Sequence, residues 1–554
     1  MTMGLAGYSP SGCSYIVTVL GVGLFPPGRI FPAAALFSKT VCPMGITGRL
    51  RARAAMALSD DGLSLGTLAD GIASAHESKT LITIADGLRW TANEIAGSVD
   101  HAAEFVHTRI AKGDRVLIEF PNGPELVLGC LAVCRAGGVA VPLNDASTPA
   151  EREHVRRDSG ATLTLSDPTI VAPRERPTTH HLDIEVNPAD VAVLLYTSGT
   201  TGKPKGAALT HRGLLSSTRR LALIPTGLRR DEAVMALPLA HVMGFAGFLG
   251  TMTAGVPVFV FRRFRPDDVL DAIECRRSTI FVGVPAMYRM MLEAGAAQRD
   301  LTSVRLWMCG ADAMPAELAR QFQRMGASAT LPILGTPVGE ALFVEGYGMV
   351  ELSGAAIVKV TPPYAGGWLN KARGATLPGY KTRVVDDNDA TVKVGQIGEL
   401  LVHGPGVLDG YHGDEKATAA TRTSDGWVRT GDLVRRGVGG TVEFVGRAKD
   451  VIKVGGYSVY AAEVQAALEA IDGVAEAAVV GLPDPRRGER VAAAVRMMPG
   501  RSLTPAFLRS AVGETLTPYK VPSLVVVVDD LPLTTTGKIR RAELRAILGE
   551  RNSD

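Results

Sequence analysis

The chain of 554 residues is poor in features that mark metal centres, membranes or nucleic-acid surfaces. Its six cysteines are Cys13, Cys42, Cys130, Cys134, Cys275 and Cys309. They form no CxxC pair and no metal-ligand spacing, which excludes a zinc ribbon or a disulfide framework. A reducing cytosol suits such a chain. Cys130 and Cys134 are one helical turn apart and read as buried thiols. The apolar stretch Tyr15 to Phe25 is too short for a bilayer, which needs about 20 apolar residues. Net charge is only +3, so no field for nucleic acid is implied. No acidic residue precedes Asp60, whereas Arg29, Lys39, Arg49, Arg51 and Arg53 are basic. No basic residue precedes the apolar stretch, as a secretory signal would require. Residues 1–55 are therefore expected to be a disordered leader, an organelle transit segment or the product of a misplaced start, with an ordinary domain beginning at Met56. No Ser-His-Asp triad, internal repeat or low-complexity tract is evident.

What is present is concentrated in Tyr196-Thr197-Ser198-Gly199-Thr200-Thr201-Gly202-Lys203-Pro204-Lys205-Gly206. The run Val191–Leu195 before it reads as a buried strand. Glycines let successive N–H groups point inward and cradle an anion. Serine and threonine hydroxyls and the ammonium groups add donors for phosphate oxygens. The spacing is not that of a P-loop, because Gly199 and Gly202 are two residues apart and Lys203 precedes a proline. A flexible linker is the other reading of this composition.

Further along, apolar runs alternate with helical patterns. Arg115–Phe120 reads as strand, Pro124–Gly137 as helix and Gly138–Leu143 as strand. Val256–Phe261, Pro266–Arg276 and Thr279–Val284 repeat the cycle. This alternation predicts β-α units with a parallel sheet. From Thr382 to Val445, strands separated by Gly- and Asp-rich turns predict antiparallel sheet or a distorted barrel. Beyond Lys449 the alternation resumes, with helices over Val459–Glu469 and Pro505–Leu516 and strands over Ala475–Gly481 and Val491–Met497. The expected architecture is α/β (α+β overall). A large N-terminal domain (56–448) of β-α subdomains plus a distorted β-barrel is followed by a small mobile C-terminal α+β domain (449–554).

Four more segments carry chemistry. Cys309-Gly310-Ala311-Asp312 turns after a strand. Glu345-Gly346-Tyr347-Gly348-Met349-Val350-Glu351 offers a ring able to stack on a base (about 1–3 kcal/mol) and a hard carboxylate suited to Mg²⁺. Trp427-Val428-Arg429-Thr430-Gly431-Asp432 places an acid that can accept ribose hydroxyls. Pro532-Leu533-Thr534-Thr535-Thr536-Gly537-Lys538 presents a single lysine. Taken singly, each has a structural reading as a turn, a packing ring or a surface charge.

In order, these motifs resemble the core motifs of the adenylate-forming superfamily: acyl-CoA synthetases, luciferases and peptide-synthetase adenylation domains. The resemblance covers roughly residues 64 to 548. It implies an ATP-dependent acyl-CoA synthetase that makes acyl-AMP and pyrophosphate, then passes the acyl group to CoA. Thr197, Ser198, Gly199, Thr200, Thr201, Gly202 and Lys203 would then wrap the ATP phosphates. Gly310, Ala311, Tyr347, Gly348 and Met349 would line AMP, and Asp432 with Arg447 would hold its ribose. Thr200 and Glu351 would form the Mg²⁺ environment, and Lys538 would serve adenylation. Lys449 would be the hinge, and Gly455-Gly456 would admit the pantetheine arm of CoA. Ser458 and Ala461 stand where Asn and Pro are more usual. By position in the family, His241, Phe245, Phe281, Gly283, Val284, Pro285 and Gly310 would line the acyl pocket, suited to a short, medium or fatty acid.

Phe261-Arg262-Arg263-Phe264 is also similar to malonyl- and methylmalonyl-CoA synthetases, which makes Arg263 a candidate reader of a second carboxylate; a surface arginine is the other reading. An acyl-AMP ligase loading a carrier protein in trans and a non-catalytic nucleotide-binding relative are the remaining alternatives. The sequence leaves oligomeric state open.

Overall fold

Strand-sized runs of Val, Ile, Leu and Phe, separated by turns and helices, several of them started by proline, assemble into two sheets with parallel centres. The computed structural model describes residues 46–58, 63–176, 182, 184–197, 204–223, 230–330, 336–363, 373–533 and 539–551. Proline takes a first-turn position in helices Pro124–Arg135, Pro149–Ser159, Pro266–Arg276, Pro285–Glu293 and Pro505–Thr515, where its missing N–H costs nothing. Thr91 with Glu94 and Thr148 with Glu151 close capping boxes at the starts of Ala92–His107 and Pro149–Ser159.

The first sheet has nine strands. Its centre runs parallel through Leu342–Met349, Leu306–Gly310, Ile280–Gly283, Ala233–Met235, Val258–Val260 and Thr80–Ile84. The second has six strands and contains Arg115–Ile118, Val139–Pro142, Val191–Thr197 and Lys205–Thr210. Buried side chains from both sheets and their helices join in one core running from Met56 to Val442.

Next comes a four-stranded antiparallel sheet of Lys381–Val385, Ile397–His403, Val428–Arg436 and Val442–Arg447. The C-terminal five-stranded sheet follows, with separate apolar clusters on its two sides, Ile452 to Val525 and Ala478 to Leu548. It is mainly antiparallel, and only Leu524–Val528 joins in parallel, beside Gly488–Met497.

Most element limits shift by a few residues from the sequence reading, and at two places the assignment itself changes. Val459 and Tyr460 belong to strand Tyr457–Tyr460, and the helix is Ala461–Glu469; the β-branched Val459 is paired with Ile452 and fully buried. The expected domain start at Met56 falls inside a helix, Ile46–Leu58. Met56 and Ala57 are buried, and Arg53 Nε donates to the Ala222 carbonyl at 2.7 Å. Residues 46–55 therefore form ordered structure on the body of the protein. Among the described residues no helix is long and apolar enough to cross a membrane.

Candidate active site

Parallel pairing places Gly283 beside Cys309 and Gly310 beside Gly346. The ends of three strands thus meet at the carboxyl edge of the sheet, where open α/β sheets bind their ligands. Glycine is required there for space. A Cβ on Gly310 would lie 3.1 Å from the Gly346 carbonyl oxygen and 3.3 Å from Met243 Sδ. Ala311 follows with φ of 69°, an uncommon left-handed conformation for a residue with a Cβ. Met243 opens helix Val242–Ala254, whose N-cap is His241; His241 Nδ1 accepts from the Met243 amide at 3.4 Å.

Tyr347, next to Gly346, is the centre of a polar cluster. Its hydroxyl donates to Asp432 Oδ2 at 2.6 Å, and Arg447 Nε lies 2.8 Å from Asp432 Oδ1. Asp432 and Arg447 face each other across an antiparallel pair. The Asp432 side chain is only 3% exposed, so its charge needs such partners. Burial first, and then the adjacent Asp432, push the Tyr347 phenol well above its ordinary value. Tyr347 therefore stays a neutral donor.

Glu351 sits one turn later, on the short helix Val350–Leu352, and is buried. Tyr411 donates its hydroxyl to Glu351 Oε1. Burial, followed by the charge of Glu351, holds the Tyr411 phenol above its usual range. Nothing in its local sequence tells that the Tyr411 ring reaches a residue 60 positions upstream.

The hydroxyl- and glycine-rich segment caps an antiparallel hairpin. Val191–Thr197 and Lys205–Thr210 are its arms, with Thr197 opposite Lys205. His154 Nε2 is 2.8 Å from the Pro204 carbonyl oxygen, and Tyr196 donates to Asp158 at 2.7 Å. Ser198, Gly199, Thr200, Thr201, Gly202 and Lys203 lie outside the described residues, as does Lys538. Among the described residues no three His, Cys, Asp or Glu side chains converge on a metal position. Glu351 is a buried carboxylate tied through Tyr411 to the hairpin, and one such carboxylate fits a Mg²⁺ ion whose remaining ligands are nucleotide phosphates and water.

The proposed acyl-pocket residues divide into groups. Phe245 and Phe281 are fully buried. Phe281 packs edge-on against Tyr288 and Trp307 at 5.3 and 5.9 Å, so its ring belongs to the aromatic core beneath Gly283. Val284 and Pro285 begin helix Pro285–Glu293 at the same sheet edge. Arg263 is exposed. Its neighbour Arg262 is the engaged arginine, with Nη2 donating to Glu125 Oε1 at 2.6 Å and Nε to Asp86 at 3.2 Å. Asn122 was not foreseen, yet it braces this wall. Its amide donates to the carbonyls of Leu237 and Arg262 and accepts from Leu239 N.

Lys449 is exposed in the turn Ala448–Asp450, and Asp450 pairs with Arg541 at 3.2 Å. Gly455 and Gly456 form a two-residue turn between Val454 and Tyr457, with φ of 57° and 87°. Both are exposed.

Comparison with known proteins agrees with this geometry. The AMP-binding enzyme family matches residues 72–412, and the AMP-binding enzyme C-terminal domain matches 463–538. A feruloyl-CoA synthase of Amycolatopsis is 34% identical over 461 residues, covering 79% of this chain and 90% of that protein. A fatty acid–[acyl-carrier-protein] ligase of Streptomyces coeruleorubidus is 32% identical, covering 85% and 94%. Among solved structures, ATP-bound MatB from Rhodopseudomonas palustris superposes with a TM-score of 0.74 at 29% identity, covering 88% of this chain and 99% of MatB. These matches show an ATP-using acid–thiol ligase of the acyl- or aryl-CoA type. The chain belongs to the AMP-binding enzyme family.

Proposed function

We propose that this enzyme activates an apolar monocarboxylic acid, fatty or aryl, as its acyl-adenylate and then transfers the acyl group to CoA. The observation that carries this reading is the joined site at the sheet edge. Tyr347, Asp432 and Arg447 form one cluster, and Glu351 is bonded through Tyr411 to the hairpin that bears the 198–203 loop. In the first half-reaction the substrate carboxylate attacks the α-phosphorus of ATP and pyrophosphate leaves. In the second the CoA thiol displaces AMP. Both nucleophiles belong to substrates, so the protein contributes position and charge.

Asp432 and Arg447 would hold the ribose, and Tyr347 would stack on the adenine while donating to Asp432. Loop residues 198–203 would cradle the phosphates. Glu351 with Thr200 would hold Mg²⁺, which neutralises phosphate charge when bound. Lys538 would bridge the two anions of the adenylation step, whose repulsion is strong in a dry site. The small lobe would begin at Lys449 and rotate about it to bring Gly455-Gly456 inward for the thiol step. Free buried Cys130, Cys134 and Cys309 suit a reducing cytoplasm.

The apolar acid is favoured over a dicarboxylate by the arginines. Arg262 is neutralised by Glu125 and Asp86, and Arg263 is exposed. Pyrophosphate release across fatty, aryl and dicarboxylic acids, with and without CoA, tests the proposal. We expect turnover with apolar monocarboxylates and thioester formation with CoA. Turnover restricted to malonate-like acids would reinstate the dicarboxylate reading. Adenylate formation with no CoA thioester would point to a carrier protein, and nucleotide binding without turnover to a non-catalytic relative. Lys538→Ala should abolish pyrophosphate release yet spare thioester formation from supplied acyl-AMP; equal loss in both steps would remove its assigned role.

A further inference from the structure

Two parts of the site that must act on the same phosphates come from distant segments. One is the hairpin Val191–Thr197/Lys205–Thr210. The other is the turn Val350–Leu352 carrying Glu351. The segment 408–412 is bonded to both. On one side the Leu408 amide donates to the Glu351 carbonyl at 2.9 Å, and the Tyr411 hydroxyl donates to the Glu351 carboxylate. On the other side, Asp409 N donates to Ala208 O at 2.9 Å and His412 N to Gly206 O at 2.8 Å. Gly410 and Tyr411 pair in register with Ala208 and Ala207.

The Tyr411 side chain continues this link. Lys205 Nζ stands 5.7 Å from the centre of its ring, and the same ammonium pairs with Asp414 at 2.8 Å. The Tyr411 amide is itself fixed by Thr418 Oγ1 at 2.9 Å. A backbone crossbar thus sets the distance between hairpin and turn, and the phenol sets which way the Glu351 carboxylate faces. A carboxylate with one oxygen held by a hydroxyl has one rotamer to present and loses little entropy when a cation takes the other oxygen.

We infer that Tyr411 is the positioning residue for Glu351, holding its carboxylate in one orientation and so setting the divalent-cation affinity of the enzyme–nucleotide complex. This rests on the assignment of Glu351 to the cation, and the test separates the two. Mn²⁺ binding is followed by electron paramagnetic resonance, with the full-length enzyme saturated by a non-hydrolysable ATP analogue. Analogue affinity in EDTA is measured alongside.

We expect Tyr411→Phe to weaken Mn²⁺ about 5- to 10-fold and to leave analogue affinity in EDTA unchanged. In turnover the Mg²⁺ concentration for half-maximal rate should rise, while kcat at saturating Mg²⁺ returns near the parent value. Thr418→Val, which frees the Tyr411 amide, should shift Mn²⁺ affinity the same way by a smaller factor, and it serves as the readout should the phenylalanine variant not fold. Unaltered Mn²⁺ affinity in these variants, with Glu351→Gln strongly weakened, overturns the role of Tyr411 and keeps that of Glu351. Unaltered affinity in Glu351→Gln overturns the cation assignment itself. A matching loss of analogue affinity in EDTA would make Tyr411 a nucleotide contact and also overturn the inference.

Discussion

Tyr347 offers two groups, a ring and a hydroxyl. Flanked by glycines, it reads as a ring free to stack on a base. In the structure its hydroxyl is committed to Asp432, 85 residues away. Hydrogen bonds to charged groups contribute about 1.5–3 kcal/mol, and here the acceptor is almost completely buried. Tyr347→Phe keeps the ring and removes this bond. Affinity for a non-hydrolysable ATP analogue, measured by titration calorimetry, should fall about 10-fold because Asp432 then lacks the hydrogen bond from Tyr347 that fixes its orientation. Undiminished affinity would mean that Asp432 does not depend on Tyr347 for its orientation. The sequence singles out Tyr347, Asp432 and Arg447, and the structure brings the three together. The sequence is silent about their bonds, because a contact across 85 positions depends on how two sheets meet.

At the scale of elements, glycine was legible as a marker and its cause was not. Gly346 and Gly348 flank the same tyrosine and look equivalent in the sequence. In the structure a Cβ on Gly348 would lie 1.9 Å from the Gly354 carbonyl oxygen, inside the pairing of Leu342–Met349 with Gly354–Thr361. A Cβ on Gly346 would meet nothing nearer than 3.8 Å. Gly348→Ala must push two strands apart and should cost about 2–3 kcal/mol, in the range of overpacked sites. Gly346→Ala should cost less than about 1 kcal/mol. Urea denaturation of both variants checks the contrast, and equal midpoints would contradict it. Helix and strand assignments failed where local propensity lost to pairing. Val459 continued a helical pattern, yet its place opposite Ile452 in a two-strand ladder buries it fully. Helices opened by proline, Pro124–Arg135, Pro266–Arg276 and Pro505–Thr515, began where predicted because the start signal is local.

Over the whole molecule, the chain beyond Val451 meets the rest through charge. Arg289, on the helix that begins at Pro285, reaches Glu469 at 3.1 Å and Glu476 at 3.3 Å. Arg496 adds pairs to Glu293 at 2.8 Å and Glu476 at 3.7 Å. Burial raises the Glu469 carboxyl above its ordinary value, and Arg289 pulls it back. Removing one partner of such a buried group costs about 3–5 kcal/mol. Arg289→Met should therefore lower stability by about 3 kcal/mol in calorimetry, and Glu469→Gln on that background should recover part of the loss. Additivity of the two changes within about 0.5 kcal/mol would show that they do not interact. None of this was legible in the sequence, where Arg289 is one arginine in an amphipathic helix and its partners are 180 and 187 positions away.

The helix Ile46–Leu58 bears on how the gene can be shortened. A product initiated at Met56 would keep only the last turn of that helix, with Met56 itself, whose thioether crowds Gly71, becoming a charged amino terminus beside apolar side chains. Arg53 would no longer cover the Ala222 carbonyl, and Glu77 would lose Arg49. The internal methionine that looks like a natural beginning is thus a poor place to cut, and a trimmed gene should retain the codons from Ile46 onward.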